Sequence, residues 1–321
     1  MIFIISHPSD VTTDNVIKWL KYYGYNDIVR LNTPNRFKVR EILLKSDGTT
    51  YIELDINECI VSLDQIRFIW YRNNPLIFDG NFLDYLDLDI NLKNFYGYEW
   101  NKSRDFILNE FMKKPMLGNF FDNYINKLKN LKIAAQCGFL IPETIVSEYG
   151  NTLKEFCSDK STITKPIHEI CEISEGNSFM DMHTAQVSKD NIFPRTMDVP
   201  CLIQKKIEKW IELRVFVFYD KIYAMAIFSQ LDKSSQVDSR SYNNSNPIRK
   251  VPYKLSKDIE NKILSFMKKC NYSTGSIDLI ISEARECFFI EINPVGVIEM
   301  LEPCSYDIEK SIAKEIIKRY D

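Results

Sequence analysis

An α/β protein of the α+β kind is predicted by three observations. The chain opens with a short apolar run followed by an amphipathic helical stretch and a second apolar run, the rhythm of a small strand-helix-strand unit. Past residue 200 the pattern changes to longer runs of β-branched and aromatic residues separated by tight turns, as in an antiparallel sheet, with helical segments between them. At 321 residues the chain is also long enough for two or three packed units rather than one small core.

Residues 1 to about 75 read as a small α/β unit. Its parts are a strand from Ile2 to Ile5, a capped amphipathic helix from Thr13 through Leu20 to Tyr23, then Gly24 and a strand around Asp27 to Leu31. Two further strands are expected, Thr50 to Leu54 after the Asp47-Gly48 turn and Ile66 to Tyr71. Residues 76–120 are rich in Asp, Asn, Phe and Tyr, and Tyr98 to Phe111 can be written as a helix, so this stretch reads as a linker helix region. From Asn126 a helical run is closed by Gly138 and leads through Pro142 into a strand. A second short strand, Ser161 to Pro166, ends on Lys165, and the polar stretch Glu169 to Asn191 reads as a lid or a surface loop. Cys201 to Ile207 is a strand, Glu212 to Tyr219 and Ile222 to Phe228 form a hairpin over Asp220-Lys221, and Ile308 to Tyr320 is an amphipathic helix.

Bulk properties remove several functions. The net charge of −3, with Lys interspersed among Asp and Glu, argues against a nucleic-acid surface. The eight cysteines (59, 137, 157, 171, 201, 270, 287 and 304) include no Cys-x-x-Cys and no zinc spacing, so they read as small buried hydrophobes in a reducing compartment. The first apolar run is too short for a signal peptide, and no later one approaches the roughly 20 residues of a membrane span, so a soluble cytoplasmic protein is expected. Neither Gly-x-Gly-x-x-Gly nor Gly-x-x-x-x-Gly-Lys-Ser/Thr occurs, which excludes a dinucleotide dehydrogenase and a P-loop kinase. His7, His168 and His183 lie outside every motif and read as structural or surface residues.

The most informative stretch lies near the end. Asp278 sits in an apolar run, and thirteen residues later Glu291 is followed by Asn293-Pro294. Glu291 and Asn293 share a strand face, and a hairpin turning through Glu283 to Glu286 brings Asp278 beside them. Two carboxylates and an amide carbonyl, without His or Cys, suit a hard cation such as Mg²⁺ that shares phosphate oxygens with a nucleotide. The alternative is a pair of half-buried strands with acids facing solvent. Against that, an acid within Phe-Phe-Ile-Glu-Ile would be poorly hydrated, and Asn-Pro ends the strand abruptly.

In order, Lys127, Thr164-Lys165-Pro166, Gln204-Lys205-Lys206-Ile207, Glu212-Leu-Arg214, Asp238-Ser-Arg240, Gly275-Ser-Ile-Asp278 and Glu291-Ile-Asn293-Pro resemble the motif series of the ATP-grasp superfamily. The resemblance is to the branch related to ribosomal-protein glutamate ligases and to graspetide (microviridin-type) peptide maturases. The Trp70-Tyr71-Arg72 segment, the Leu131-x-x-Ala-x-x-x-Gly-Phe-x-Ile-Pro-x-Thr144 helix exit and the opening from Met1 to Leu20 most resemble maturases of the grasp-with-spasm kind. It spans essentially the whole chain.

The resemblance implies an ATP-grasp fold with a small N-terminal pre-ATP-grasp α/β domain and linker at 1–98, a linker helix region at 99–125, a central subdomain with lid at 126–204, and a C-terminal subdomain with the metal site at 205–321. It implies ATP and Mg²⁺, with two ions on Asp278, Glu291 and Asn293. Lys127 and Lys165 would meet the phosphates, the backbone of Gln204, Lys205, Lys206 and Ile207 the adenine edge, and Glu212 the ribose. Arg214 and Arg240, with Arg249 a weaker third, would face the phosphates and an acyl phosphate, where a planar fork clamps oxygens. Ser239 replaces an aromatic residue common in the family. For Lys127 the alternative is a solvated helix residue, and for Glu212 an exposed acid paired with Arg214.

The partners implied are a ribosomally made precursor peptide with leader and core, a second copy in a homodimer, and a SPASM-domain protein. Phe78 to Trp100, with the N-terminal unit, would supply a peptide-docking surface, or else pack between domains. The activity implied is phosphorylation of Asp or Glu side chains of the precursor and their joining to Ser/Thr hydroxyls or Lys amines. Two other readings stand beside it: an ATP-grasp ligase adding free amino acids to a protein or small acid, and a nucleotide- or peptide-binding module without catalysis.

Overall fold

The N-terminal run Ile2–Ser6 forms β1, a strand with every residue buried, as a strand covered on both faces must be. The computed structural model describes residues 1–32, 37–56, 58–72, 87–120, 125–158, 161–168, 172–175, 178–181, 184–193, 195–229 and 248–321. The chain divides into two units, Met1–Asn123 with Asp307–Asp321, and Tyr124–Tyr306.

In the first unit Asp10 caps α1 (Val11–Tyr22), its carboxylate accepting the Thr13 N–H. β2 (Ile28–Asn32) and β6 (Phe68–Tyr71) flank β1 in parallel, and β7 (Met116–Leu117) extends the sheet to the order β2-β1-β6-β7. A separate antiparallel sheet joins β3 (Phe37–Leu44), β4 (Thr50–Ile56) and β5 (Cys59–Ser62). Neither β3 nor β5 is legible as a strand in the sequence, because β3 exposes most of its length and carries Lys38, Arg40 and Glu41 among its apolar residues.

Two expectations about this unit need correction. The region expected as a linker helix does hold a helix, α2 (Ile90–Phe111), but it starts earlier than Tyr98 and its Ile107, Leu108 and Phe111 enter the same core as Phe3, Ile5, Ile69 and Tyr71. The tail helix, α6 (Ile308–Tyr320), expected within the C-terminal subdomain, packs on α1 in this first unit. An amphipathic stripe of Ile308, Ile312 and Ile316 declares a buried face without naming what covers it.

The second unit begins with α3 (Lys127–Gln136), capped by Asn126 and closed at Gly138, whose φ is +87°. There follow β8 (Thr144–Tyr149), α4 (Gly150–Cys157), β9 (Thr162–Thr164), β12 (Ala185–Val187) and β13 (Thr196–Lys205), paired in the order β12-β9-β13-β8. The stretch expected as a lid or loop contains an antiparallel hairpin, β10 (Glu172–Glu175) with β11 (Ser178–Asp181). Then β14 (Lys209–Phe218), β15 (Lys221–Ile227), β16 (Lys250–Pro252), α5 (Lys257–Cys270), β17 (Thr274–Ser282) and β18 (Cys287–Asn293) complete the unit. Their sheet runs β16-β15-β14-β17-β18. Residues of α3 and α5, including Leu131, Ile263 and Phe266, form one core with Leu213, Val215, Ile277 and Leu279. Strand alternation therefore turns Glu212, Arg214 and Asp278 to the opposite face.

Among the described residues no helix is long and apolar enough to cross a membrane. Of the described cysteines Cys157 and Cys304 are buried, Cys59 is exposed, and none is in a disulfide. Cys171 and His183 lie outside the described residues.

Candidate active site

Arg214 on β14, Asp278 on β17 and Glu291 on β18 stand in register across three adjacent strands. Arg214 Nη1 is 2.6 Å from Asp278 Oδ1. Glu291 stands on this face because of a β-bulge: Leu279 pairs with Phe289 while Asp278 pairs with Glu291, leaving Ile290 as the extra residue. In an unbroken ladder the pairing that begins Ile281–Cys287 would set Glu291 beside Ile277, on the core face. The bulge also explains why Phe289 and Ile292, three apart, both enter the core.

Two lysines converge on Glu291. Lys165, just after β9, places Nζ 3.5 Å from Glu291 Oε2, and Lys127, the first residue of α3, places its own at 4.0 Å. Lys127 Nζ also donates to the Pro166 carbonyl at 3.4 Å, so it is not a solvated helix residue. The face therefore carries cations at both ends, the two lysines and Arg214, flanking the adjacent carboxylates of Glu291 and Asp278.

Burial pushes the Asp278 carboxyl up to about 7; the Arg214 guanidinium opposes the shift, and the Glu291 and Glu212 carboxylates reinforce it. Its Oδ1, although ion-paired with Arg214, accepts no well-formed hydrogen bond. Two neighbouring carboxylates in a poorly hydrated place, one with an unused acceptor, fit a hard divalent cation. Asn293, the exposed last residue of β18, completes an oxygen donor set on the same strand face as Glu291, although its Oδ1 also accepts the Val295 N–H at 3.1 Å. The turn that follows is closed by Gly296, at φ +79°, where a Cβ would lie 2.6 Å from the Phe216 ring. No cluster of three or more His, Cys, Asp or Glu is found among the described residues, so a metal here depends on two carboxylates and an amide.

Glu212 does not pair with Arg214. Its Oε1 accepts from Lys209 Nζ and from Ser229 Oγ, and sequence reading marked neither donor. Gln204 is buried at the end of β13 and donates Nε2–H to Thr144 Oγ1 at 2.8 Å. The amides of Lys205 and Lys206 donate to the carbonyls of Glu143 and Ser161, so these two N–H groups are engaged within the protein and do not face an adenine edge. Arg249 is exposed, with its guanidinium 5.3 Å from the Phe228 ring centroid, and the structure does not bring it to the charge cluster. Arg240 and Asp238 lie outside the described residues.

No protein-family model matches the sequence, and neither does any curated protein sequence. Solved structures do match. A RiPP-associated ATP-grasp ligase of Chryseobacterium gregarium, in complex with ADP and a leader and core peptide, is 28% identical, with a TM-score of 0.81 over 99% of this chain and 96% of that one. (RiPP denotes a ribosomally made, post-translationally modified peptide.) The macrocyclase MdnC of Microcystis aeruginosa, bound with precursor peptide MdnA, is 24% identical at a TM-score of 0.76 over 99% of both chains. The ATP-grasp ligase PsnB, complexed with minimal precursor, Mg and ADP, is 14% identical at 0.72, over 100% of this chain and 97% of that one. The last two speak for the fold alone. The chain is an ATP-dependent ligase of the ATP-grasp fold, and over its whole length it is similar to a RiPP-associated member of that fold.

Proposed function

We propose that this ligase is a peptide maturase that uses ATP to close rings in a ribosomally made precursor. The observation that carries the reading is the in-register row Arg214–Asp278–Glu291 with Lys127 and Lys165 closing on it, in a fold shared end to end with a ligase described with leader and core peptide.

A precursor Asp or Glu carboxylate attacks the γ-phosphorus of ATP; the bond from that phosphorus to the β-bridging oxygen breaks, and ADP leaves. The acyl phosphate then accepts a Ser/Thr hydroxyl, giving an ω-ester, or a Lys amine, giving an ω-amide. The C–O bond to phosphate breaks, the nucleophile's proton is lost, and inorganic phosphate departs. Lys127 and Lys165 supply fixed positive charge where the phosphates lie, and Arg214 offers a planar fork to the transferring oxygens. Asp278, Glu291 and Asn293 would hold Mg²⁺, which when bound neutralises charge on the β- and γ-oxygens. Glu212 accepts from the ribose hydroxyls. On the ATP-grasp likeness Arg240 would serve the acyl phosphate, Arg249 takes no part, and the β10–β11 segment would exclude water from an intermediate that hydrolyses readily. The enzyme works as a homodimer on a leader-bearing peptide, and the grasp-with-spasm likeness favours the ester.

The test is mass spectrometry of the Ser/Thr- and Asp/Glu-rich peptide encoded beside this gene, incubated with the protein, ATP and Mg²⁺. Loss of one water per ring, reversed by mild base, establishes ester closure, and base-stable loss establishes amides. An unchanged peptide, with ATP consumed only on adding free amino acids, overturns the proposal in favour of amino-acid ligation.

A further inference from the structure

Lys209 and Glu212 are three residues apart on β14, and on an unbroken strand they would point to opposite faces. They meet because β14 carries a bulge. Lys209 pairs with Ser282 and Ile211 with Ile281, leaving Trp210 unpaired and reversing the alternation between Lys209 and Ile211. Lys209 is thereby turned away from the core that takes Ile211, Leu213 and Val215, yet stays only 8% exposed. The bulge is fastened from outside: Arg285 stacks on the Trp210 ring, 3.3 Å from its centroid, and the Glu283 N–H donates to the Glu208 carbonyl at 3.1 Å.

The donors that this produces share one acceptor. Lys209 Nζ and Ser229 Oγ both donate to Glu212 Oε1, and Ser229 is itself only 1% exposed. A carboxylate whose one oxygen takes both of these donors keeps its other oxygen as an acceptor for a further donor. We infer that Lys209 and Ser229 are positioning residues that hold Glu212 Oε1 so that Oε2 receives the ribose hydroxyls of ATP. The inference rests on the ATP reading above and adds to it how the ribose acid is aimed. The Trp210 bulge is then the device that makes the enzyme select a ribonucleotide.

The test compares KM and kcat for ATP and for 2′,3′-dideoxy-ATP in the wild type, Lys209→Met and Ser229→Ala, with consumption of the precursor peptide as readout. Expected is a wild-type preference for ATP that falls about tenfold in Lys209→Met and a few-fold in Ser229→Ala, the size of one hydrogen bond to a charged group lost or loosened. The loss should fall in KM for ATP rather than in kcat, with dideoxy-ATP barely affected. Equal weakening of both nucleotides would make Lys209 a general electrostatic or structural residue and overturn the inference. So would a wild type indifferent to the ribose hydroxyls, or variants that keep full discrimination. If Lys209→Met does not fold, Ser229→Ala decides by itself, since it removes only a hydroxyl. A wild type that binds no ATP analogue at all, measured by calorimetry, would instead overturn the ATP reading.

Discussion

Glu291 is reached by Lys165 at 3.5 Å and Lys127 at 4.0 Å, while its neighbour Asp278 is held by Arg214 at 2.6 Å. Each of these charges therefore has a partner of opposite sign, and on the proposed function the two lysines would exchange Glu291 for phosphate oxygens. Replacing Asp278 by Asn keeps the shape and removes the charge. Turnover should fall by at least about 10³-fold, the several kcal/mol that a bound cation contributes to phosphoryl transfer. Circular dichroism should report an intact fold. Normal turnover of Asp278→Asn over a range of Mg²⁺ concentrations would remove Asp278 from the metal site. Asp278 and Glu291 are marked in the sequence because an acid inside an apolar run is conspicuous there, whereas Lys127 and Lys165 are marked through the ATP-grasp resemblance. Lys209 and Ser229 are not marked, since one sits in a lysine-rich stretch and the other follows a strand with no motif around it.

The pairing of strands and helices shows where local pattern was sufficient and where it was not. Runs such as Ile222–Phe228, and the helix from Asn126 closed by Gly138, are local signals and appear where expected, because backbone hydrogen bonding and helix termination depend on near neighbours. The end of β1 is a different case. Ser6, Asp10 and Thr13 hydrogen-bond together, and Arg72 Nε, from the residue after β6, lies 3.4 Å from Asp10 Oδ2 with both side chains under 10% exposed. Burial alone would raise the Asp10 carboxyl. The Arg72 charge and the bonds from Thr13 and Ser6 outweigh it and hold Asp10 below its ordinary value. A depressed carboxylate stabilises the folded state above its unfolded pKa and ceases to do so as pH falls through the folded one. Asp10→Asn, which keeps a capping side chain, should therefore cost about 2 kcal/mol at pH 7 by removing the carboxylate charge that Arg72 and the Thr13 and Ser6 donors face. The difference from wild type should shrink below about pH 4. Denaturant melts at pH 7 and pH 3 decide, and a gap that stays constant would mean that the charge of Asp10 stabilises nothing.

For the chain as a whole, the proposed function puts ATP on the unit Tyr124–Tyr306, where the described candidate site residues lie. ADP with Mg²⁺ should slow amide hydrogen exchange at 204–214 and 278–293, and at a hundredfold excess over Kd should stabilise that unit by about 2.7 kcal/mol. Protection appearing only in β2-β1-β6 would place the nucleotide in the other unit. The sequence by itself determined the mixed α/β class, the strand that ends on Lys165, the hairpin over Asp220 and the acids near the end, since each depends on neighbours in the chain and on side-chain period. Three matters were settled by packing over distance: the tail helix joining the first unit, Glu291 reaching the face of Asp278, and Lys209 reaching Glu212. The reason is common to all three. A helix stripe does not specify its partner, and one extra residue in a ladder exchanges the faces of a strand, so both are fixed only when the partner strand or helix is in place.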